Sequence, residues 1–386
     1  MKRLTIYFVL SVFVSHLFAQ ETGPSNMSIK RTEKEIQTII DKFDAVGVAI
    51  AVIKDQDMIY SNTFGYRNLQ TKEPLELNDI FRIASISKSF SSTAIMQLVE
   101  QGKVSLDDDL SDLIGFKVRN PKFPNTVITL KMALSHTSSI SDSEGYFKLD
   151  IIDPSKNPNW ALSYNDYEPG TDYEYCNLGF NMIGTIIERV TGERFDRHIK
   201  KTILDPLGLY GGYNVNDLDS SRFVTLYNYD RDTRKFNAST SAYAPRAEEI
   251  ANYTMGYSAP IFSPTGGMKI SAPDLAKYMT MHMHFGTFND TNIISAKSAK
   301  TMQTPVAIED AYGLALLQSD DLIDGVTLTG HTGSAYGLYS AMFFNTEEKY
   351  GFVVITNGIN IPPTDDVNSF QKAIISSLYR NLIQGK

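Results

Sequence analysis

At 386 residues the chain has room for roughly two or three domains. Hydrophobic residues make up 42 % and charged residues 21 %, ordinary values for a globular protein with a real core. A net charge of −8, with no basic run of five or more residues, argues against binding to nucleic acid or to an anionic membrane surface.

The first residues, MKRLTIYFVLSVFVSHLFAQ, carry Lys2 and Arg3 ahead of an apolar stretch, Leu4 to Phe18, and end in the small residue Ala19. This reads as a signal peptide over residues 1–19. The apolar run is shorter than the ~20 residues that span a bilayer, with an uncleaved anchor as the alternative. No Cys lies nearby for lipid attachment. The expected mature protein is exported, periplasmic or secreted, and has no stable membrane anchor. The single cysteine, Cys176, excludes an intrachain disulfide and a Cys-based zinc site.

Residues 20–29 are polar and read as a linker. Ile36, Ile39, Ile40 and Phe43 recur at helical spacing over 31–43. Residues 46–65 read as two strands joined by the turn Asp55-Gln56-Asp57. Helices are predicted over 89–102, closed by Gly102, over 177–192, closed by Gly192, and over 271–286, closed by Gly286. The Tyr- and Asn-rich stretch 210–255 shows no period and either lines a cleft or packs as a surface excursion. Near the end, YGLALLQ, GVTLTGHTG, GLYSAMFFN and YGFVVITNG are four strand-like runs at hairpin spacing, followed by an amphipathic helix over 366–383. Short connections favour antiparallel pairing. The expected fold is α/β of the α+β type. An antiparallel sheet built from both chain ends (30–80 and 255–386) is flanked by helices, a mostly helical domain (81–254) is inserted, and the active site lies between them.

In IASISKSF, Ser85 and Lys88 are three apart, which places them on one face in neighbouring helical turns. A partly desolvated lysine can take a proton from the serine, and free N–H groups at a helix start favour developing negative charge. Alone the spacing is weak: it arises about once or twice by chance in such a chain, and Ser369 and Lys372 repeat it. By itself Ser85 is equally a capping serine. Tyr175 and Asn177 offer a proton relay and an orienting amide; Tyr60–Asn62 and Tyr379–Asn381 share their spacing.

The order Ser85-x-x-Lys88, Tyr175-x-Asn177, His331-Thr332-Gly333 resembles that of the penicillin-recognising serine hydrolases, closest to the class C β-lactamases, DD-carboxypeptidases, D-amino-acid peptidases and related esterases. The longer strings FRIASISKSFSSTAIMQLVEQGKVSLDDDL, LSHTSSI, PGTDYEYCNLGFNMIGTIIERVTGERFDRHIKKTILDPLGL, PTGGMKISAPDLAKYM and HTGSAYG carry the resemblance from about residue 30 to the C-terminus. It implies that Ser85 is acylated and that Lys88 and Tyr175 share the proton work. Asn177 would orient the lysine and the substrate amide. The backbone N–H groups of Ser85 and Ser334 would form the oxyanion hole, with glycines near His331 letting a substrate lie close. The sequence departs at Ser139, where the family usually has glycine, and at Cys176, where serine is commoner. Cys176 reads as a buried small residue.

His331 stands where many β-lactamases have lysine, and is expected to act as a pH-sensitive substrate hook, since free imidazole titrates near ~6.5. His136 is expected to support a loop beside the site and His198 to sit on an exposed helix face. His282 and His284, two apart on a helix, point apart and do not form a metal pair. The run Asp107–Asp109 reads as a solvated helix entry. The expected function is an exported serine hydrolase without metal or organic cofactor. It would act on small-molecule or peptide amides and esters, with D-alanyl cell-wall peptides favoured over an esterase or β-lactamase role. A catalytically silent receptor of the same fold is the reading from a different class.

Overall fold

The computed structural model describes residues 23–362 and 367–385, so the expected signal peptide lies outside the described residues. Helix α1 (Asn26–Lys42) begins earlier than expected, because the Ser25 hydroxyl caps the Ser28 N–H. Residues 26–29, read as linker, are therefore its first turn. Strands β1 (Gly47–Lys54) and β2 (Asp57–Asn68) form the expected hairpin, and a short β3 (Glu73–Pro74) follows. The C-terminal region supplies β4 (Leu317–Ile323), β5 (Val326–Ala335), β6 (Leu338–Asn345) and β7 (Tyr350–Thr356). The seven strands lie in the order β4-β5-β6-β7-β1-β2-β3, every described pair antiparallel. Pairing of β1 with β7, Ala51 opposite Val353, joins the two chain ends in one sheet.

Both faces of this sheet are covered, which is why β1 and β7 read as unbroken apolar runs. Side chains alternate along a strand. Val48, Ile50 and Val52 face the outer layer with Ile36 and Ile40 of α1 and Phe370 and Ile374 of the C-terminal helix. Ala49, Ala51 and Ile53 face inward to a core shared with the whole helical region. The first of the four C-terminal runs is mostly not strand. Tyr312 to Leu316 turn back on themselves, with the Gly313 N–H bonded to Leu316 O at 2.7 Å, and β4 starts only at Leu317. This bend carries Tyr312 inward. The Ser369–Lys372 pair lies on the helix Val367–Leu378, which packs on the outer face with Lys372 3.9 Å from Asp324.

Helix α2 (Ser87–Glu100) runs through the interior, buried throughout from Ser87 to Met96. Three of its buried hydroxyls bond to nearby carbonyls, Ser89 to Ile86, Thr93 to Ser89 and Ser91 to Pro264, while Ser92 Oγ has no partner among the described residues. It packs against α3 (Asn177–Thr191), which ends at Gly192 in the left-handed conformation. Helix α4 (Ala272–Met283) lies under the sheet, its start capped by Ser271. Gly184 lets α3 pass close to the loop before α4: a Cβ there would fall 2.1 Å from Pro264 Cγ and 2.8 Å from its Cβ. Gly184→Ala should gain about 1 kcal/mol of helix propensity and lose more, about 1–3 kcal/mol, to the clash with a rigid ring. The expected net result is a lower thermal midpoint by circular dichroism; a raised midpoint would show that the loop gives way.

Candidate active site

Ser85 sits in a tight turn, Ala84–Ile86, that runs into α2. Ala84 has φ +51°, a left-handed conformation an L-residue adopts only when its surroundings impose it. They do so from two sides. The Ser87 hydroxyl donates to Ala84 O at 2.6 Å and accepts from Met268 N at 3.0 Å, while Ser340 of β6 donates to Ile83 O at 2.9 Å. β4 pairs with β5 only as far as Gly330, so from His331 to Ala335 that edge of β5 is open. Gly333 brings this edge to the serine. A Cβ there would lie 2.4 Å from Ile83 O and 3.2 Å from Ser85 N, so only glycine allows the approach.

Lys88 is fully buried in the first turn of α2, three residues after Ser85. Its Nζ donates to Asn177 Oδ1 at 2.8 Å, Thr265 O at 3.1 Å and Ser85 Oγ at 3.2 Å. Burial brings its pKa down to about 7, against the weaker upward pull of the Asp142 charge. The amine is thus about half neutral at physiological pH, as a group that removes a proton from Ser85 requires. Tyr175 lies over the lysine, its ring centroid 4.5 Å from Nζ. Its hydroxyl is buried without a hydrogen bond, and burial raises its pKa, only partly offset by the Ser85 side chain. A phenol so placed stays protonated, with its O–H left to donate to a bound group.

Asn177 opens α3, and its amide orientation is fixed by a residue not picked out in the sequence. Asp142 accepts from Asn177 Nδ2 at 2.8 Å, Asn177 N at 2.9 Å and Leu178 N at 2.8 Å. A carboxylate here only accepts, so Nδ2 must face it and Oδ1 must face Lys88 and the Thr265 hydroxyl, 2.7 Å away. Asp142 also favours the helix N-terminus electrostatically. It is 35 residues from Asn177, and no local spacing signals the pairing. Thr265 lies in the string PTGGMKISAPDLAKYM, whose pattern alone gives it no role. Cys176 is buried, with its thiol pKa pushed up by burial. Ser139 has φ +59°, a reason for glycine to be common there, and its hydroxyl accepts from Asn120 Nδ2 at 2.9 Å.

The histidines depart from expectation where burial intervenes. His331 is 2 % exposed. Its Nδ1 faces Thr332 O, an acceptor, so Nδ1 carries the proton and Nε2 accepts from the Tyr312 hydroxyl at 3.0 Å. Burial, then the Lys88 charge, hold its pKa down to about 4. It is therefore a neutral ring positioning Tyr312, and the expected pH-sensitive hook is not formed. His136 does support the site: its Nδ1 accepts from Cys176 N at 3.1 Å, and its ring lies 4.3 Å from that of Tyr175. His198 is buried, not exposed, and bonds Glu193 at 3.1 Å. His282 is buried while His284 bonds Asp55 O, and no metal-ligand cluster is found among the described residues. Asp109 caps the short helix Leu110–Ile114 as expected of a helix entry, but it also pairs with Arg119.

The cleft holds about 700 Å³ and is walled by aromatic residues, among them Tyr146, Tyr173, Tyr312 and Tyr336. None of residues 210–255 lines it. That stretch packs behind it instead, with the Tyr213 hydroxyl bonded to Ser87 O at 2.9 Å and the Tyr243 hydroxyl accepting from Arg82 N at 3.2 Å.

Residues 34–375 match the sequence profile of the Beta-lactamase family. Penicillin-binding protein 4 of Amycolatopsis lactamdurans is 26 % identical over 347 residues, 82 % of this chain and 84 % of that protein. Protein flp of Staphylococcus aureus is 24 % identical over 349 residues, and the chain spans 63 % of its length. Among solved structures, an octameric penicillin-binding protein homologue from Pyrococcus abyssi aligns with TM-score 0.72 and 26 % identity over 93 % of this chain and 78 % of that one. A D-amino acid amidase from Ochrobactrum anthropi aligns with TM-score 0.71 at 20 % identity over 92 % of this chain and 99 % of that one, a likeness of fold.

The buried histidines make stability depend on acid in a defined direction. His331 (about 4) and His282 (about 3) bind protons in the unfolded chain near ~6.5 and refuse them when folded. Their contribution is complete above that pH and is lost as pH falls toward 4, at up to about 1.4 kcal/mol per unit per histidine. Denaturant midpoints at pH 4.5 and 7 should show the loss, and the His331 ring should show no NMR titration between pH 5 and 8.

Proposed function

Because the chain belongs to the Beta-lactamase family, whose homologues are serine hydrolases, we propose that it is an acyl-transfer hydrolase with Ser85 as nucleophile. Small peptides and amino-acid derivatives are its substrates, D-alanyl peptides foremost. The observation that carries this is the Lys88 amine, buried, titrating about 7 and 3.2 Å from Ser85 Oγ. Neutral Lys88 takes the Ser85 proton as Oγ attacks the carbonyl carbon. The oxyanion collects at the Ser85 and Ser334 N–H groups, where one donor is worth about 10²–10³ in rate. Tyr175, held protonated, delivers a proton to the leaving nitrogen or oxygen, and Lys88 returns one to Tyr175. Water then releases the acyl group by the reverse path. The open edge of β5 supports a peptide over a simple ester, since an extended acyl chain can pair along it. The signal-like residues 1–19 support action outside the cytoplasm; among the described residues no helix is long and apolar enough to cross a membrane.

A fluorophosphonate or fluorescent penicillin should label the wild type and leave Ser85→Ala unlabelled. Turnover of a D-alanyl-D-alanine peptide should rise with pH through about 7, as Lys88 loses its proton. Lys88→Met should lower it by at least ~10². Ester turnover without action on the peptide would favour an esterase, and absence of labelling a silent relative.

A further inference from the structure

One buried charge at the cleft has no part in that chemistry. Arg82 is 8 % exposed and lines the cleft wall three residues before Ser85. Its Nε donates to Gly266 O at 3.0 Å and Nη1 to Ala242 O at 3.2 Å, with a longer contact to the Tyr336 hydroxyl at 3.5 Å. The Tyr336 ring stacks 4.8 Å from the guanidinium carbon. The hydrogen bonds of Arg82 to described residues use Nε and Nη1, leaving Nη2 over, and the side chain borders both the cleft and the small cavity it shares with Lys269 and Arg246. The charged groups that bear on this wall are mostly of the same sign. Arg246 repels Arg82, and Arg82 and Arg246 both repel the buried Lys269 behind it. The nearby acids are engaged elsewhere, Asp196 with Arg194 at 2.7 and 2.8 Å and Glu249 with Arg246 at 3.5 Å. Arg82 thus has two carbonyls and no carboxylate, an expensive state for a buried cation. A planar fork with a free N–H edge matches a ligand carboxylate.

The cleft also has a direction. Tyr175, which delivers the leaving-group proton, lies toward His331, with ring centroids 6.2 Å apart. From there β5 runs through Gly333 and Ser334 to Tyr336 and Arg82, so the acyl half of a substrate extends to the cationic end. We propose that Arg82, with the Tyr336 hydroxyl, is a carboxylate subsite for the acyl side, selecting substrates whose retained acyl group bears an acid. This rests on the acyl-enzyme reading above.

The test compares mono-p-nitrophenyl adipate with its methyl ester, equal in reach and differing by one charge. Wild type should favour the acid by about tenfold or more in kcat/KM, the size of one charge-assisted hydrogen bond. The ratio should fall toward one in Arg82→Gln and stay intermediate in Arg82→Lys. Equal rates in the wild type, or an equal loss on both esters in Arg82→Gln, would overturn the subsite. If neither ester is turned over and Ser85 is not labelled, the acyl-enzyme reading fails instead. Calorimetry with adipate then decides the subsite alone: binding by the wild type that Arg82→Gln loses supports it, and no binding overturns it.

Discussion

The cleft depends on one constraint, an amine buried with oxygen partners and no carboxylate in contact. Lys88 is surrounded by the Asn177 amide, the Thr265 carbonyl and the Ser85 hydroxyl. Each partner belongs to a different segment, so the amine ties the turn before α2, the start of α3 and the loop before α4 to one point. Dipoles satisfy its N–H groups without cancelling its charge, which leaves desolvation as the dominant influence on its pKa. A carboxylate in direct contact would satisfy it as well and keep it charged. Asp142 stands one residue further back, holding Asn177 instead. The same acid therefore orients Asn177 without pairing directly with the amine.

The sheet matters to the site chiefly through one edge. β4 stops pairing at Gly330, leaving the rest of β5 open, and Gly333 removes the side chain that would separate it from Ser85. Backbone approach of this kind needs support from behind. The Ser340 hydroxyl on β6 supplies it by bonding to the turn at Ile83. The helical region shares its core with the inner face of the sheet, so the two walls of the cleft are set by a single packed interior.

Charge and aromatic rings divide the cleft lengthwise. Neutral His331 and Tyr312 occupy one end, Arg82 and Tyr336 the other. Among the described residues that line the cleft, Arg82 is the one with a full charge, and no carboxylate is bonded to it. It lies in the same short segment as the serine, and the residue types alone single out Ser85 and Lys88 rather than Arg82.

Local patterns determined a good deal by themselves. Periodicity and glycine punctuation marked helices α2, α3 and α4 to within a few residues and α1 with its start five residues late, because amphipathic faces and left-handed stops are local properties. Spacing alone left Ser85, Lys88, Tyr175 and Asn177 among decoys; the resemblance to the penicillin-recognising serine hydrolases brought them and His331 forward, and the structure gathers all five at one cleft. Burial and distant pairing were decided only by the tertiary structure. Nothing near His331 announces that Tyr312 will cover it, since that contact depends on a bend which sequence pattern read as strand. Nothing near Asn177 points to Asp142, and that the Ser369–Lys372 pair ends on the outer helix while Ser85 and Lys88 meet in the interior is seen only in the folded chain. Desolvation sets the charge of Lys88 and His331, and it belongs to the packed molecule rather than to any residue within it.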